Sequence, residues 1–311
     1  MALRDGAIRA DRGSRRACGH RPGVHSGTAL PAVPSRGYTS EGLEVTLPGG
    51  AAALNGALLE ARHISKRFSG LQAVGGSDGL SFGVDRGAFV GLIGPNGAGK
   101  STTFDLMSGV QTSDTGSVLF NGHDITRSSP DTIAERGIGR TFQTPRAFES
   151  LTVLQNVVAG ATSPGESLRW AFGRSWRNHE TEIVEAAQAI LRRVGLHERA
   201  AARVSDLSGG ELRMLEVARQ LVRDPTVLLL DEPTAGVHPG LQERLAALLQ
   251  DLHSGGMTLV VVEHNLHFLL ALADHILVLA DGALLAQGPP ADIRADPAVI
   301  SAYLVVCRGF G

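Results

Sequence analysis

The stretch AFVGLIGPNGAGKST, residues 88–102, decides the fold. AFVGLIG (88–94) is a nearly continuous apolar run, the pattern of a strand buried on both faces. The run ends in GPNGAGKST (94–102), where Gly94, Gly99, Lys100 and Ser101 take the spacing of a phosphate-cradling loop. Glycines let the backbone curl until its N–H groups point inward at an anion. Lys100 suits the terminal phosphates and Ser101 suits Mg²⁺. A helix from Lys100 to about Ser108 follows. Strand before and helix after is the context that this loop requires.

Working outward, TVLLLDEP (226–233), TLVVVEH (258–264) and HILVLADG (275–282) read as further strands. GLQERLAALLQDLHSGG (240–256) places Leu241, Leu245, Leu248 and Leu252 on one helix face, and Gly255–Gly256 stops it. Strands alternating with helices predict an α/β domain with a mainly parallel core sheet. Between about 150 and 205 the character is helical, as in HETEIVEAAQAILRRVG (179–195). The preceding LRWAFGRSW carries both tryptophans, Trp170 and Trp176, and reads either as a locally packed helical subdomain or as a partner-facing surface.

Residues 1–55 are different material. Residues 1–40 hold seven arginines and two acids without apolar periodicity, the composition of a disordered tail or an over-long start. A transit peptide would need an amphipathic pattern, and the twin arginine Arg15–Arg16 has no apolar segment behind it. Cys18, His20 and His25 read as incidental rather than as metal ligands.

With 311 residues, 43% hydrophobic and 19% charged, the chain can bury a sizeable core. A net charge of −2 gives no case for nucleic acid. Two cysteines, Cys18 and Cys307, suggest no disulfide framework and a reducing compartment. No apolar run reaches the roughly 18 residues of a membrane helix. Of 29 basic residues all but two are arginine, the exceptions being Lys66 and Lys100. A compact ammonium among phosphates is the one task that arginine's broad fork does not take over.

Two carboxylates, Asp231 and Glu232, end the strand VLLLDEP (227–233). Carboxylates at a buried strand tip are costly without a task. Asp231 suits Mg²⁺, and Glu232 suits a general base on a water in line with the γ-phosphate. LSGGE (207–211) opens a helix with a hydroxyl and two glycines, the chemistry of a second anion site that lacks a lysine. Taken alone, Gln143 in GRTFQTPRAF is an ordinary loop glutamine, His264 a core or surface histidine, and Phe68 a core phenylalanine.

The set, in order, resembles the nucleotide-binding subunit of ATP-binding-cassette (ABC) transporters over about residues 57–305: the phosphate loop, a glutamine loop at Gln143, the LSGGE signature, the VLLLDEP strand and a switch histidine at His264. The resemblance implies a P-loop NTPase cassette with an antiparallel β flank, a helical subdomain at about 150–222 and a short tail at 306–311. It implies ATP and Mg²⁺ as ligands. Phe68, Gly94, Pro95, Asn96, Gly97, Ala98, Gly99, Lys100, Ser101 and Thr102 would hold the nucleotide. Ser101, Gln143 and Asp231 would hold the metal, and Glu232, His264, Gln143 and Lys100 would serve hydrolysis. Two cassettes in that family pair head to tail, so Ser208, Gly209 and Gly210 would close on the ATP of a second subunit.

GIGRTFQTPRAFESLTVLQNVVAGA, VVVEHNL and AQGPPADIRADPAVISAYL are similar to the ATP-binding subunit of branched-chain amino acid importers. Importers of urea and other polar solutes share much of this. The implied setting is the cytoplasmic face of the plasma membrane, with permease subunits and, indirectly, a solute-binding protein. A soluble ABC protein acting on ribosomes or DNA is the rival, but such proteins commonly fuse two cassettes. A small-molecule kinase or GTPase would need no LSGGE. Three departures stand out: GGSDG (75–79) is long for its turn, Leu212 follows the signature where a polar residue is usual, and His238 replaces an Asn or Asp.

Overall fold

A computed structural model describes residues 56–144, 146–161 and 175–308, the side chains of 175–179 and 304–308 excepted. The proposed tail at 1–55, the trio Cys18, His20 and His25, and Trp170 lie outside the described residues, as do the side chains of Trp176 and Cys307.

In chain order, strands β1 (Leu59–Phe68), β2 (Leu71–Val74), β3 (Leu80–Val84) and β4 (Phe89–Ile93) lead into helix α1 (Lys100–Met107). Strands β5 (Thr115–Phe120) and β6 (His123–Asp124), helix α2 (Pro130–Glu135) and strand β7 (Ile138–Arg140) follow. Helices α3 (Val153–Val158), α4 (Ser175–Arg193) and α5 (Gly209–Leu221) precede β8 (Val227–Asp231), α6 (Pro239–Ser254) and β9 (Thr258–Val262). The chain continues through α7 (Leu266–Leu270), β10 (His275–Ala280), β11 (Ala283–Gly288), α8 (Pro290–Ala295) and α9 (Pro297–Arg308). Helix α9 thus carries helical backbone past residue 305, where a tail was expected.

The core is a six-stranded sheet in the order β11-β10-β4-β9-β8-β7. Every pairing in it is parallel except β10 with β11. A second, antiparallel sheet runs β2-β1-β5-β6, with β3 also on β1. The parallel core is as the strand–helix alternation predicts, and the antiparallel flank is as the family resemblance implies.

The period of two along each strand explains the unbroken apolar runs. Phe89 and Ile93 of β4, Leu228 and Leu230 of β8, and Leu259 and Val261 of β9 face one core, shared with α3, α4, α5 and α6. The alternate residues, Val90 and Leu92, Val227 and Leu229, Val260 and Val262, face a second core shared with α1 and the antiparallel sheet. Both faces are covered, so the interiors of these strands leave no position for a polar side chain. Each buried Leu, Ile, Val or Phe contributes about 1.5–3 kcal/mol. The first polar side chains stand where the strands end, and the candidate site is built there. On α6 the buried stripe comprises Leu245, Leu248, Leu249 and Leu252, while Leu241 lies at its margin. Gly255 caps the helix, and Gly256 takes a left-handed φ of 87°.

Candidate active site

The loop after β4 depends on its glycines. Gly94 has φ 155°, and a Cβ there would run into the Leu279 carbonyl of the neighbouring strand β10. Gly99 has φ 94° and caps α1 without any side-chain hydrogen bond. The first N–H groups of α1 are therefore not taken by a capping side chain, which is the local requirement for an anion site. Lys100 is buried, and its Nζ donates to the carbonyls of Gly94 at 2.6 Å and Pro95 at 2.9 Å. Burial lowers its pKa, and the carboxylates of Glu232 and Asp231 oppose that shift. Those two acids are thus electrostatic neighbours of the loop lysine.

Asp231 is the last residue of β8. Its carboxyl is buried, and burial raises its pKa; Arg140 opposes the rise, while Glu232 and Asp105 add to it. Arg140 Nη2 lies 3.7 Å from Asp231 Oδ2 and 2.7 Å from Asp105 Oδ1. Asp231 Oδ1 is buried without a hydrogen-bond partner. An orphaned carboxylate oxygen fits a hard cation. Among the described residues no three His, Cys, Asp or Glu side chains form a metal cage. Mg²⁺ is usually bound through one or two carboxylates plus phosphate oxygens, and Asp231 offers one such carboxylate.

Glu232 follows with φ 47°, a left-handed value rare for a non-glycine residue. Its N–H donates to the Val262 carbonyl at 2.9 Å, one residue beyond the last β8–β9 pair, Asp231 with Val262. This turn aims the side chain across the ends of the sheet. Glu232 Oε2 accepts from Gln143 Nε2 at 3.1 Å, and Glu232 Oε1 lies 2.8 Å from His264 Nε2. Three elements therefore converge on one carboxylate: the loop after β7, the tip of β8 and the loop after β9.

The backbone around Gln143 is held from α5. Arg213 Nη1 donates to the Phe142 carbonyl at 2.7 Å, and Nη2 donates to the Gln143 carbonyl. Phe142 N–H donates to Glu216 Oε1 at 2.9 Å, while Arg213 and Glu216 pair with each other at 3.1 Å. Both side chains are buried.

The same helix begins at the signature. Ser208 is its N-cap in a capping box: Glu211 N–H donates to Ser208 Oγ, and Glu211 Oε2 accepts from Ser208 N–H at 2.8 Å and from Ser208 Oγ at 2.7 Å. Ser208 and Gly209 are exposed, and Gly210 packs against Leu241. The hydroxyl and N–H of Ser208, at the start of the expected anion site, are therefore engaged by the chain's own Glu211.

Phe68 ends β1 at 41% exposure, with Lys66 Nζ 5.6 Å from its ring centroid. It is not a core residue. Pro95 is half-buried, Ala98 is buried, and Asn96, Gly97 and Ser101 are exposed. The three sequence departures have local explanations. Leu212, in the first turns of α5, is partly buried against the core. His238 is the N-cap of α6, its Nδ1 accepting from Gly240 N–H at 3.4 Å, the position that an Asn or Asp would also fill. GGSDG folds back on β1, with Gly79 N–H donating to Gly75 O at 2.6 Å.

The sequence pattern described as "ABC transporter" matches residues 77–235, a span that includes the phosphate loop, Gln143, the signature and both β8 carboxylates. The chain belongs to that family. The cassette is accordingly an ATP-binding, ATP-hydrolysing domain. A second pattern, "Branched-chain amino acid ATP-binding cassette transporter", matches residues 283–304, from β11 into α9. The cassette is 38% identical to a probable branched-chain amino acid transport ATP-binding protein LivG of Archaeoglobus fulgidus, over 79% of this chain and 95% of that one. It is 36% identical to the high-affinity branched-chain amino acid transport ATP-binding protein BraF of Pseudomonas aeruginosa, over 79% and 97%. A crystal structure of a nucleotide-free ATP-binding cassette from an ABC transporter matches with a TM-score of 0.69 and 35% identity, covering 79% of this chain and 98% of that one. Among the described residues of the cassette no helix is long and apolar enough to cross a membrane.

Sequence reasoning did not assign roles to Arg140, Arg213, Glu216 or Glu263. For Arg213 and Glu216 a signal exists: opposite charges three residues apart on one face of α5, the face of Val217 and Gln220. For Glu263 the signal is an acid directly after a fully buried strand.

Proposed function

We propose that the chain is the ATP-hydrolysing subunit of an importer for branched-chain amino acids. The convergence of Gln143, Glu232 and His264 carries the hydrolytic part of this reading. The match of residues 283–304 and the names of the relatives support the solute, as do the RTFQ (140–143) and EH (263–264) stretches. The same assignment places the domain at 57–305, with a helical insert at about 150–222.

In the proposed reaction ATP lies with its phosphates on the N–H groups of residues 94–102 and its base on Phe68. Lys100 contacts the β- and γ-phosphates. Mg²⁺, when bound, neutralises phosphate charge; Ser101, Asp231 and the Gln143 side-chain carbonyl are the oxygens that would hold it. Glu232 accepts a proton from the attacking water as the new P–O bond forms and ADP departs. His264 orients that carboxylate and contacts the γ-phosphate. Ser208, Gly209 and Gly210 reach the nucleotide of a second cassette, so ATP binding closes a head-to-tail dimer and hydrolysis reopens it. The dimer sits peripherally on permease subunits at the cytoplasmic face, fed by a solute-binding protein.

Reconstitution tests the solute. The chain, its neighbouring permeases and their binding protein are placed in proteoliposomes, and labelled leucine and urea are offered in turn. Leucine accumulation that depends on ATP is the expected result. ATP hydrolysis stimulated by urea and not by leucine would assign another polar solute.

A further inference from the structure

Glu263 is an acid between a fully buried strand and the candidate switch histidine, and it is itself only 3% exposed. Its carboxylate is fully used, but by backbone alone. Oε1 accepts from Thr234 N–H at 2.7 Å, and Oε2 accepts from His264 N–H at 3.1 Å and Asn265 N–H at 3.3 Å. Among the described residues no basic side chain pairs with it. A buried carboxylate is costly, so the geometry that it secures must be one that neutral groups do not supply.

The strands show what that geometry is. The β8–β9 ladder ends at Asp231 with Val262, and Glu232 N–H adds one last bond to the Val262 carbonyl. Beyond that point the two chains part, one toward Thr234 and α6, the other toward His264 and α7. Glu263 bridges the gap: one oxygen holds the chain two residues after Glu232, and the other holds the backbone of His264. The 2.8 Å contact between Glu232 and His264 is made by the side chains of the very segments that Glu263 ties together.

We infer that Glu263 is a positioning residue for hydrolysis, its carboxylate replacing the missing ladder bonds so that Glu232 and His264 stay in register at the end of the sheet. This rests on the proposed roles of Glu232 and His264. An amide at 263 would present one N–H₂ group to a backbone donor, so only one of the two segments would remain held. A shorter carboxylate in Glu263→Asp keeps both acceptors but not the full reach.

Phosphate release by the full-length chain, ATP binding and thermal midpoints test the inference. Glu263→Gln should lower kcat by about 10- to 100-fold, the effect of misplacing reacting groups by about 1 Å, with KM for ATP within about twofold. Glu263→Asp should recover part of the loss. In a His264→Ala background, followed over long incubations, Glu263→Gln should add less than about twofold, because the contact that it serves is already gone. A purely structural staple would lower kcat by its full factor again in that background, which would overturn the inference. It is equally overturned by a normal kcat in Glu263→Gln, by a rise in KM alone, or by loss of ATP binding and folding in both Glu263 variants. Glu232→Gln serves as the control: brisk turnover there would remove the underlying reading, whereas an inactive Glu232→Gln beside a normal Glu263→Gln would remove this inference alone.

Discussion

Gln143 Nε2 donates to Glu232 Oε2 at 3.1 Å across 89 positions of sequence. With His264 on the other oxygen, the carboxylate is held from both sides. A water that approaches Glu232 must share or replace one of these partners, which ties the availability of the base to the position of the Gln143 loop. Glu232→Gln keeps the shape and removes the basicity. It is expected to bind ATP and to lose about 10²–10⁴-fold in turnover, the usual worth of a general base. With closure preceding hydrolysis, ATP should then trap the dimer in size-exclusion chromatography. Near-normal turnover would remove Glu232 from the role.

Lys100 and Ser208 give a paired prediction. Lys100 is enclosed by the Gly94 and Pro95 carbonyls, a space for an ammonium and not for a planar fork. Lys100→Ala and Ser208→Arg should each leave little ATPase activity. Mixing the two variants should form dimers with one intact composite site and one site carrying both defects, and partial activity should return. Mixed dimers that form and stay inactive would place the signature's role within its own chain.

Much of this was legible in advance, for a physical reason. The parallel core announces itself because strands buried on both faces allow no polar residue between Phe89 and Ile93 or between Val227 and Leu230. The acids that end one such run, Asp231 and Glu232, therefore stand out, as does Lys100 at its fixed spacing in the glycine loop, whereas His264 takes its role only from the family resemblance. Gln143 does not stand out. It lies on an exposed loop after a three-residue strand, and its position is set by Arg213 and Glu216, some 70 residues on. No local pattern encodes that reach. The closure of Ser208 by Glu211 is legible as an S-x-x-E capping box, which competes with the anion site that the hydroxyl and the two glycines suggest.

The Arg213–Glu216 pair predicts a pH effect. Burial raises the Glu216 carboxyl above its usual range, with the Phe142 N–H and Arg213 opposing. A carboxyl raised in the folded state favours folding as pH falls through that raised value, and the gain stops below the ordinary value. Against Glu216→Gln, the parent should therefore gain relative stability across that window on acidification. Urea midpoints at a series of pH values check it; parallel curves would show that the carboxyl titrates alike folded and unfolded. Arg213→Met strands Glu216 and should cost about 3–5 kcal/mol, as for a broken buried pair.

Glu211 predicts the opposite sign at the start of the same helix. The Ser208 N–H and hydroxyl hold its carboxyl below the usual range, with Arg199 helping against modest desolvation. Its contribution is present above the ordinary carboxylate value and is lost as pH falls through the lowered one. Glu211→Gln keeps a carbonyl for the Ser208 N–H and gives up the charge at the positive helix end. The cost near neutrality should be a few tenths of a kcal/mol after solvent screening. The parent should lose that advantage in acid, so the two thermal midpoints should approach each other as pH falls below the ordinary range. There is a consequence for nucleotide as well. The same Ser208 donors are those proposed to meet a partner's phosphate, so Glu211 must release them when the dimer closes. Glu211→Ala removes the competitor and should lower the ATP concentration needed for dimerisation, measured in a Glu232→Gln background. An unchanged or higher requirement would mean that the capping box organises the helix end rather than competing for its donors.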